Sequence, residues 1–160
     1  MIKGNSVYLR LMMKEDISRL CDLCNDESVN KYNNMLPDKK YLRKNFNILK
    51  KMDNKILTII NEKDVIVGFM DYRKRDLSSA IYTIGITIGQ KFWGRGYGKE
   101  SIKILCDYLF EDLGAEKIVI EVIDKNVRAI KCYESCGFIV DKKSEHEGTS
   151  LITMVLEKSE

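Results

Sequence analysis

The chain has 160 residues, 44% of them hydrophobic and 32% charged, which predicts one globular domain over residues 1–160 with a core of its own. The formal net charge is only +3 and the lysines alternate with acids, so we expect no nucleic-acid partner. There is no apolar run of the roughly 20 residues that a membrane span needs, and no signal-peptide core, so we expect a cytoplasmic protein without a membrane partner. The five cysteines are an odd set, which predicts free thiols.

The apolar periodicity predicts an α+β fold with strands first and then alternating strands and helices. The predicted strands are Val7–Leu11, 56–60, 65–72, Ile81–Ile88, Lys117–Ile123, 138–141 and 151–156. The predicted helices are 14–24, Lys39–Lys51, 98–113 and 128–136, and residues 25–38 are predicted to be irregular.

A glycine-rich loop lies between the strand Ile81–Ile88 and the helix predicted at 98–113. Glycines 94, 96 and 98 have no Cβ, so backbone N–H groups there can approach a ligand closely. The start of the helix adds unpaired N–H donors and the positive end of its dipole, and Arg95 and Lys99 add charge. These features predict a phosphate or pyrophosphate site. A flexible turn that caps the helix is the alternative interpretation.

Two common phosphate-binding motifs fit this loop poorly. A P-loop requires glycine five residues before its Gly-Lys pair, and this chain has Trp93 there. The dinucleotide fingerprint reads G-x-G-x-x-G, whereas residues 94–98 read G-x-G-x-G.

The loop and a second motif together resemble the GCN5-related N-acetyltransferase (GNAT) superfamily. The order is strand, Trp-Gly-Arg-Gly-Tyr-Gly at 93–98, long helix, strand, and then Asn126-x-x-Ala129-Ile130-x-x-Tyr133-x-x-x-Gly137-Phe138. The chain is most similar to the branch of ribosomal-protein N-terminal and spermidine acetyltransferases, which often opens with a pattern like Val7–Leu11 followed by Glu15-Asp16. The superfamily commonly has Gln or Arg where this chain has Trp93, so no side-chain charge is expected at that position.

The resemblance implies a central mixed, mostly antiparallel sheet of about seven strands, about four flanking helices and a splayed strand pair at the cofactor site. It implies acetyl-CoA as co-substrate and no metal. The pantetheine arm would pair with the exposed backbone of residues 86–88, and the pyrophosphate would lie over the loop. The implied cofactor-binding residues are Ile86, Thr87, Ile88, Trp93, Gly94, Arg95, Gly96, Tyr97, Gly98, Lys99, Asn126 and Tyr133.

The implied reaction is direct transfer of acetyl to a primary amine in a ternary complex. A backbone N–H of the splayed strand, such as that of Ile88, is expected to stabilise the oxyanion. By the resemblance, Tyr133 protonates the departing thiolate, whose conjugate acid has a pKa of about 8.5, and a packing role is the alternative. Asn126 is expected both to cap its helix and to bind the cofactor.

The attacking amine is protonated at neutral pH, since a lysine-like group has a pKa of about 10.4. Glu121 occupies the position at which the ribosomal N-terminal acetyltransferases place a base, and a structural carboxylate is the alternative. Asp71 is a weaker candidate, and a water relay without a dedicated base stays open.

The acceptor is a small-molecule or peptide amine whose identity the sequence does not fix: polyamine, protein N-terminus or aminoglycoside-like drug. We expect residues 25–38 and the turns 73–79 and 144–150 to determine it. A catalytically silent acetyl-CoA-binding sensor is the alternative of another class, and the chain is expected to be a monomer or homodimer. Neither the Cys21-x-x-Cys24 pair in its predicted helix nor His146 in a polar turn predicts a metal site.

Overall fold

The structure is a computed structural model that describes residues 1–32 and 37–160. Within these residues the chain forms eight strands and five α-helices. The strands are β1 (Ile2–Lys3), β2 (Val7–Leu11), β3 (Lys55–Asn61), β4 (Ile66–Lys74), β5 (Ile81–Ile88), β6 (Lys117–Ile123), β7 (Ile139–His146) and β8 (Thr149–Glu157). The helices are α1 (Ile17–Cys24), α2 (Glu27–Asn30), α3 (Lys39–Lys51), α4 (Tyr97–Glu111) and α5 (Val127–Ser135).

The strands form one sheet in the order β1-β2-β3-β4-β5-β6-β8-β7. Neighbouring strands pair antiparallel except β5 and β6, which are parallel. The crossover between those two strands is α4, as expected for a parallel pair, which needs a long connection. The prediction of a mixed, mostly antiparallel sheet in an α+β fold is confirmed.

Helices cover both faces of the sheet. The predicted inner side of α4 is fully buried against one face, with Ile102, Leu105 and Leu109 at 0% exposure, and α5 joins the same cluster. On the other face α1 and α3 form a second cluster, in which Ile17 and Leu20 are fully buried. None of the described helices is long and apolar enough to span a membrane.

The parallel pair β5–β6 is short. Residue partners across it are Ile81–Lys117, Tyr82–Ile118 and Thr83–Val119, after which β5 continues to Ile88 paired with β4 alone. The two strands therefore diverge, and a gap opens in the sheet beside the second half of β5. This is the splayed pair that the resemblance implied.

Two elements were missed, and the strands β3, β4, β7 and β8 are longer than predicted. The two-residue β1 and the four-residue α2 are too short to show a periodic pattern. β7 was predicted only to residue 141, and every residue of this edge strand is exposed, so no alternation of apolar residues marks it. The turn between β7 and β8 is formed by Glu147 and Gly148, both with positive φ, as a two-residue type I′ hairpin turn requires.

The opening pattern of the sequence has a structural role. Arg10 in β2 makes a bidentate pair with Asp16, with Nη1–Oδ2 at 2.6 Å and Nη2–Oδ1 at 2.9 Å. Asp16 is 3% exposed and also accepts from the N–H of Met13 and the hydroxyl of Thr58, each at 2.8 Å. Burial alone would raise the pKa of Asp16, but these hydrogen bonds outweigh it and lower the pKa. The cluster fixes the start of α1 against β2 and β3.

Candidate active site

The backbone of β5 faces two different environments. The N–H of Gly89 donates to the carbonyl of Val67 at 2.9 Å. In an antiparallel ladder every second residue of a strand bonds to the same neighbour, so this bond fixes which residues of β5 bond to β4. By that alternation Gly85 and Thr87 bond to β4, whereas the peptide groups of Ile86 and Ile88 point into the gap. An extended ligand with amide groups could therefore pair with Ile86 and Ile88 as an added strand.

Two cavities meet at this gap. A groove on the α4–α5 side of the sheet is lined by β5, the start of α4 and the first two turns of α5. A larger cavity of about 770 Å³ lies on the α1–α3 side. Ile86, Thr87 and Tyr133 line both. Two ligands that enter from opposite faces of the sheet would therefore meet next to these three residues.

The glycine loop shapes one end of the groove. Gly94 and Gly96 have φ values of +73° and +82°, in the left-handed region that favours glycine, and Gly96 is the N-cap of α4. A Cβ on Gly98 would stand 3.7 Å from Ile88 Cγ1 and 4.0 Å from Cys132 Sγ, inside the groove. The loop thus presents the free N–H groups of a helix start to a space that side chains would fill, which fits a phosphate group.

The side chains of the predicted loop residues point in different directions. Arg95 and Lys99 are exposed, and the Arg95 guanidinium lies 5.7 Å from the centre of the Phe92 ring. Tyr97 is only 6% exposed, and its hydroxyl lies 3.4 Å from Asn61 Nδ2 and 3.2 Å from Glu62 Oε1. Its side chain therefore belongs to the core.

Trp93 has a partner that the sequence did not reveal. Its indole Nε1 donates to the carbonyl of Ile88 at 2.8 Å, and the Arg128 guanidinium lies 3.9 Å from the centre of a Trp93 ring. Arg128 lines the groove together with Asn126 and Cys132. The only sequence signal for Arg128 is its place two residues after Asn126 in the second motif.

The second motif positions Tyr133. The side chain of Asn126 caps α5 by accepting from the N–H of Ala129 at 3.3 Å, which confirms its predicted capping role. Gly137, with φ +95°, ends the helix, and the N–H of Phe138 donates to the carbonyl of Tyr133 at 3.1 Å. The Phe138 ring packs 6.2 Å from that of Tyr133. The residues at both ends of the motif thus help to place this tyrosine.

Tyr133 is 6% exposed, and burial raises the pKa of its phenol above the ordinary value of about 10. Among the described residues none makes a hydrogen bond with its hydroxyl in this structure. The phenol is therefore protonated at neutral pH and available as a donor to a ligand in the gap.

The two candidate bases line the larger cavity. Glu121 lies on β6 opposite Thr153 of β8 and is exposed. Asp71 lies on β4 beside Gly85, and burial raises the pKa of its carboxyl while Arg73 opposes the shift. The Asn54 amide lies 3.3 Å from Asp71 Oδ2 and donates to it when the amide is turned so that its nitrogen faces this oxygen. The structure thus places Asp71 and Glu121 on opposite sides of the gap.

Only part of the predicted acceptor-determining segments lines this cavity. Tyr32 and Pro37 contribute from residues 25–38, of which residues 33–36 lie outside the described part of the chain. His146, Glu147 and Thr149 contribute from the β7–β8 hairpin. None of residues 73–79 lines this cavity, because that turn joins β4 and β5 at the end where β5 still pairs with β6.

The cysteines are free thiols, as predicted. Cys21 and Cys24 are buried in α1, where burial raises the pKa of the Cys24 thiol to about 12. Among residues 1–32 and 37–160, no group of three or more His, Cys, Asp or Glu side chains is arranged to hold a metal ion.

The chain is similar to known acetyltransferases. The family described as "Acetyltransferase (GNAT) domain" matches residues 6–139. An uncharacterized N-acetyltransferase, p20, of Bacillus licheniformis is 29% identical over 137 residues, which cover 81% of this chain and 77% of that protein. The spermine/spermidine N(1)-acetyltransferase of Bacillus subtilis is 23% identical over 88 residues, which cover 55% of this chain and 58% of that protein.

A solved structure has the same fold. The spermidine N-acetyltransferase of Vibrio cholerae, in complex with CoA and spermine, superposes with a TM-score of 0.84 at 18% identity, covering 94% of this chain and 95% of that one. With a sheet split for an extended ligand and a glycine loop at a helix start, the chain has the architecture of a CoA-dependent acyltransferase. The family match shows that it belongs to the GNAT acetyltransferases. Its reaction is the transfer of acetyl from acetyl-CoA to an amine.

Proposed function

We propose that acetyl-CoA binds in the groove between β5 and α5, that the acceptor amine enters from the larger cavity, and that the two react directly in the gap. The observation that carries this proposal is that Ile86, Thr87 and Tyr133 line both cavities. No covalent acetyl-enzyme is needed in such an arrangement, because both ligands reach the same point at once.

The chain's backbone supplies most of the cofactor site. The peptide groups of Ile86 and Ile88 pair with the amides of the pantetheine arm, and the N–H groups at residues 94–99 bind the pyrophosphate. Asn126 contacts the arm from α5. The bound co-substrate supplies an acetyl thioester, and a gap-facing N–H of β5 that the arm leaves free donates to its carbonyl oxygen as negative charge develops there.

Tyr133 protonates the sulfur of the leaving group. The phenol is buried, fixed by Phe138, and lies where the groove meets the cavity. Burial raises the pKa of the phenol, and a thiolate formed in the same poorly solvated place is also a stronger base than in water. Proton transfer between the two groups therefore remains feasible.

Two carboxylates act on the acceptor. Glu121 accepts the proton of the attacking amine, and Asp71 holds the cationic amine before it loses that proton. These roles follow from the surroundings of the two carboxylates. Asp71 lies beside Gly85 and Asn54. Glu121 is exposed, so it can pass the proton on to solvent.

The acceptor is a primary amine with a net positive charge. Asp71, Glu121 and Glu147 line the cavity, and no Lys or Arg among the described residues does so. A polyamine fits this lining best, and it also agrees with the spermine bound in the Vibrio cholerae enzyme and with the spermine/spermidine enzyme of Bacillus subtilis. A protein N-terminus and an aminoglycoside are the other acceptors to test.

The experiment has two stages. Calorimetry first measures acetyl-CoA binding, and an acceptor panel (spermidine, spermine, an aminoglycoside and a peptide with a free N-terminus) is then assayed for release of free CoA. Turnover that is highest with the polyamines supports the proposal. Binding without turnover on any acceptor would favour a silent acetyl-CoA-binding sensor, and an absence of binding would remove the cofactor site. Sedimentation at assay concentration decides between monomer and homodimer.

A further inference from the structure

A tryptophan and an arginine from separate elements stack on one another beside the groove. Trp93 begins the glycine loop, and its Nε1 is held by the carbonyl of Ile88 at 2.8 Å. The guanidinium of Arg128 lies over the indole, 3.9 Å from the ring centre. An arginine stacked on a fixed indole is restricted in its orientation and keeps its N–H edges free.

Arg128 has no acidic partner in the described part of the chain. It takes part in none of the ion pairs found there. The ionisable side chains that act on it are Tyr133 and Cys132, both neutral at pH 7, and loss of solvent against its neighbours lowers the pKa of the guanidinium. Because no carboxylate of the described residues neutralises this exposed guanidinium, the arrangement favours a negatively charged ligand.

The position of Arg128 identifies that anion. Arg128 and Gly98 line the same groove, Arg128 from the first turn of α5 and Gly98 from the first turn of α4. A phosphate bound to the N–H groups of the loop would lie between the two helix starts. Guanidinium and phosphate match in geometry and form paired hydrogen bonds.

We propose that Arg128 binds the pyrophosphate of CoA from the side opposite the glycine loop, and that Trp93 orients it for this contact. The inference rests on the cofactor site proposed above. Position 93 has no charged side chain, and Arg128 on α5 supplies the positive charge instead. Arg128 is thus a binding residue, and Trp93 is a positioning residue.

Four ligands that differ in their phosphate groups show which phosphate Arg128 contacts: CoA, dephospho-CoA, phosphopantetheine and pantetheine. The chain has a single tryptophan, Trp93, so its fluorescence reports each titration directly. Arg128→Gln is expected to weaken the binding of CoA and of dephospho-CoA by the same factor, about 10- to 100-fold, because a charge-assisted contact is lost. Pantetheine, which carries no phosphate, is expected to bind both proteins equally. Arg128→Lys keeps the charge without the planar fork and is expected to fall between wild type and Arg128→Gln.

Lys131→Gln provides the matched control, because it removes one positive charge from an exposed position of α5 that does not line the groove. The four affinities of this variant are expected to stay within about twofold of the wild-type values, because a surface charge is screened by solvent and salt. A loss confined to CoA would move the contact to the 3′-phosphate and overturn the assignment. An equal loss for pantetheine would make Arg128 a packing residue.

A double-mutant cycle tests the role of Trp93, read by calorimetry. Trp93→Leu is expected to weaken CoA binding in the wild type but to add little in the Arg128→Gln background, because the stack is already broken. Additive effects would show that Trp93 does not act through Arg128. If the wild-type protein binds none of the four ligands, the proposed cofactor site fails; if it binds CoA and Arg128→Gln binds it equally well, only this inference fails.

Discussion

The carboxylate of Asp71 lies against the backbone of Gly85, its partner across the β4–β5 ladder. A Cβ at position 85 would stand 2.6 Å from Asp71 Oδ1. The missing side chain of Gly85 therefore leaves the space that the carboxylate occupies at the wall of the larger cavity.

Gly85→Ala should change acceptor binding without changing cofactor binding. The new methyl group displaces the carboxylate of Asp71, so we expect the acceptor KM to rise about tenfold or more, as for a misplaced polar contact. The Kd for acetyl-CoA is expected to stay within about twofold, since the peptide groups that face the gap belong to Ile86 and Ile88. An unchanged acceptor KM would show that the position of Asp71 does not matter to the acceptor.

Glu121→Gln and Asp71→Asn should affect different kinetic constants. Loss of a general base is expected to lower kcat by about 10²–10⁴-fold, whereas loss of an ammonium-binding carboxylate raises KM for the acceptor. Burial raises the pKa of Asp71. As the pH falls, Asp71 therefore loses the carboxylate form that binds a cation at a higher pH than an ordinary aspartate does. Asp71→Asn is therefore expected to remove an acid-side decline of kcat/KM. The reverse pattern would make Asp71 the base and Glu121 the binding residue.

Tyr133→Phe keeps the ring and its packing against Phe138 and removes only the proton donor. We expect kcat to fall by about 10²–10⁴-fold while the Kd for acetyl-CoA changes little. Because the pKa of the phenol is raised, the donor stays protonated up to about pH 10, and the wild type should show no alkaline decline from this group below that pH. Tyr82→Phe is the control, since Tyr82 is also 6% exposed but lines neither cavity. A rise in Kd with an unchanged kcat would make Tyr133 a binding residue.

Gly96→Ala should weaken cofactor binding beyond what backbone strain explains. Gly96 has φ +82° and open space where a Cβ would be, so the substitution costs about 1–2 kcal/mol of stability by conformation alone. Gly114→Ala is matched to it, with φ +69° and equally open space, and it lies after the far end of α4. Thermal unfolding should show similar losses for the two variants, and calorimetry should show loss of acetyl-CoA affinity for Gly96→Ala alone. Equal affinities would remove the loop from the site.

Asp16→Asn breaks the pair with Arg10 and should lower the free energy of unfolding by about 3 kcal/mol. The pKa of Asp16 is lower in the folded than in the unfolded state, so this stabilisation is present above the unfolded pKa of about 3.9 and is lost as the pH falls through the folded value. The difference between variant and wild type in urea unfolding should therefore shrink below about pH 4. Asp22→Asn, which breaks an exposed pair with Lys39, should cost less than about 1 kcal/mol. Equal costs would show that burial of Asp16 contributes nothing.

The sequence predicted the bounds of several elements, because apolar residues recur in each of them at the spacing of a strand or a helix. Val7–Leu11, Lys39–Lys51, Ile81–Ile88 and Lys117–Ile123 begin and end where the pattern does. The pattern fails at the edge strand β7, whose residues are all exposed. Edge position is set by the order of strands in the sheet, which no local pattern encodes.

The candidate site was predictable where its residues are close in sequence. The glycine loop and the motif from Asn126 to Phe138 each form one continuous turn and helix, so their spacing was informative. The contacts of Asp71 with Gly85 and of Arg128 with Trp93 join separate elements, and they depend on strand register and helix placement. The sequence therefore predicts no charge at position 93, although the fold places the Arg128 guanidinium over Trp93.

The divergence of β5 and β6 makes the stability of the protein depend on its substrate. Within residues 1–32 and 37–160, strand pairing joins one half of the sheet, β1 to β5, to the other half, β6 to β8, only through residues 81–83 and their partners. A ligand that pairs with the second half of β5 adds hydrogen bonds that the folded chain lacks on its own. By mass action such a ligand at 100 times its Kd adds about 2.7 kcal/mol to the free energy of unfolding. The resistance of this acetyltransferase to heat and proteolysis should accordingly rise and fall with the acetyl-CoA concentration around it.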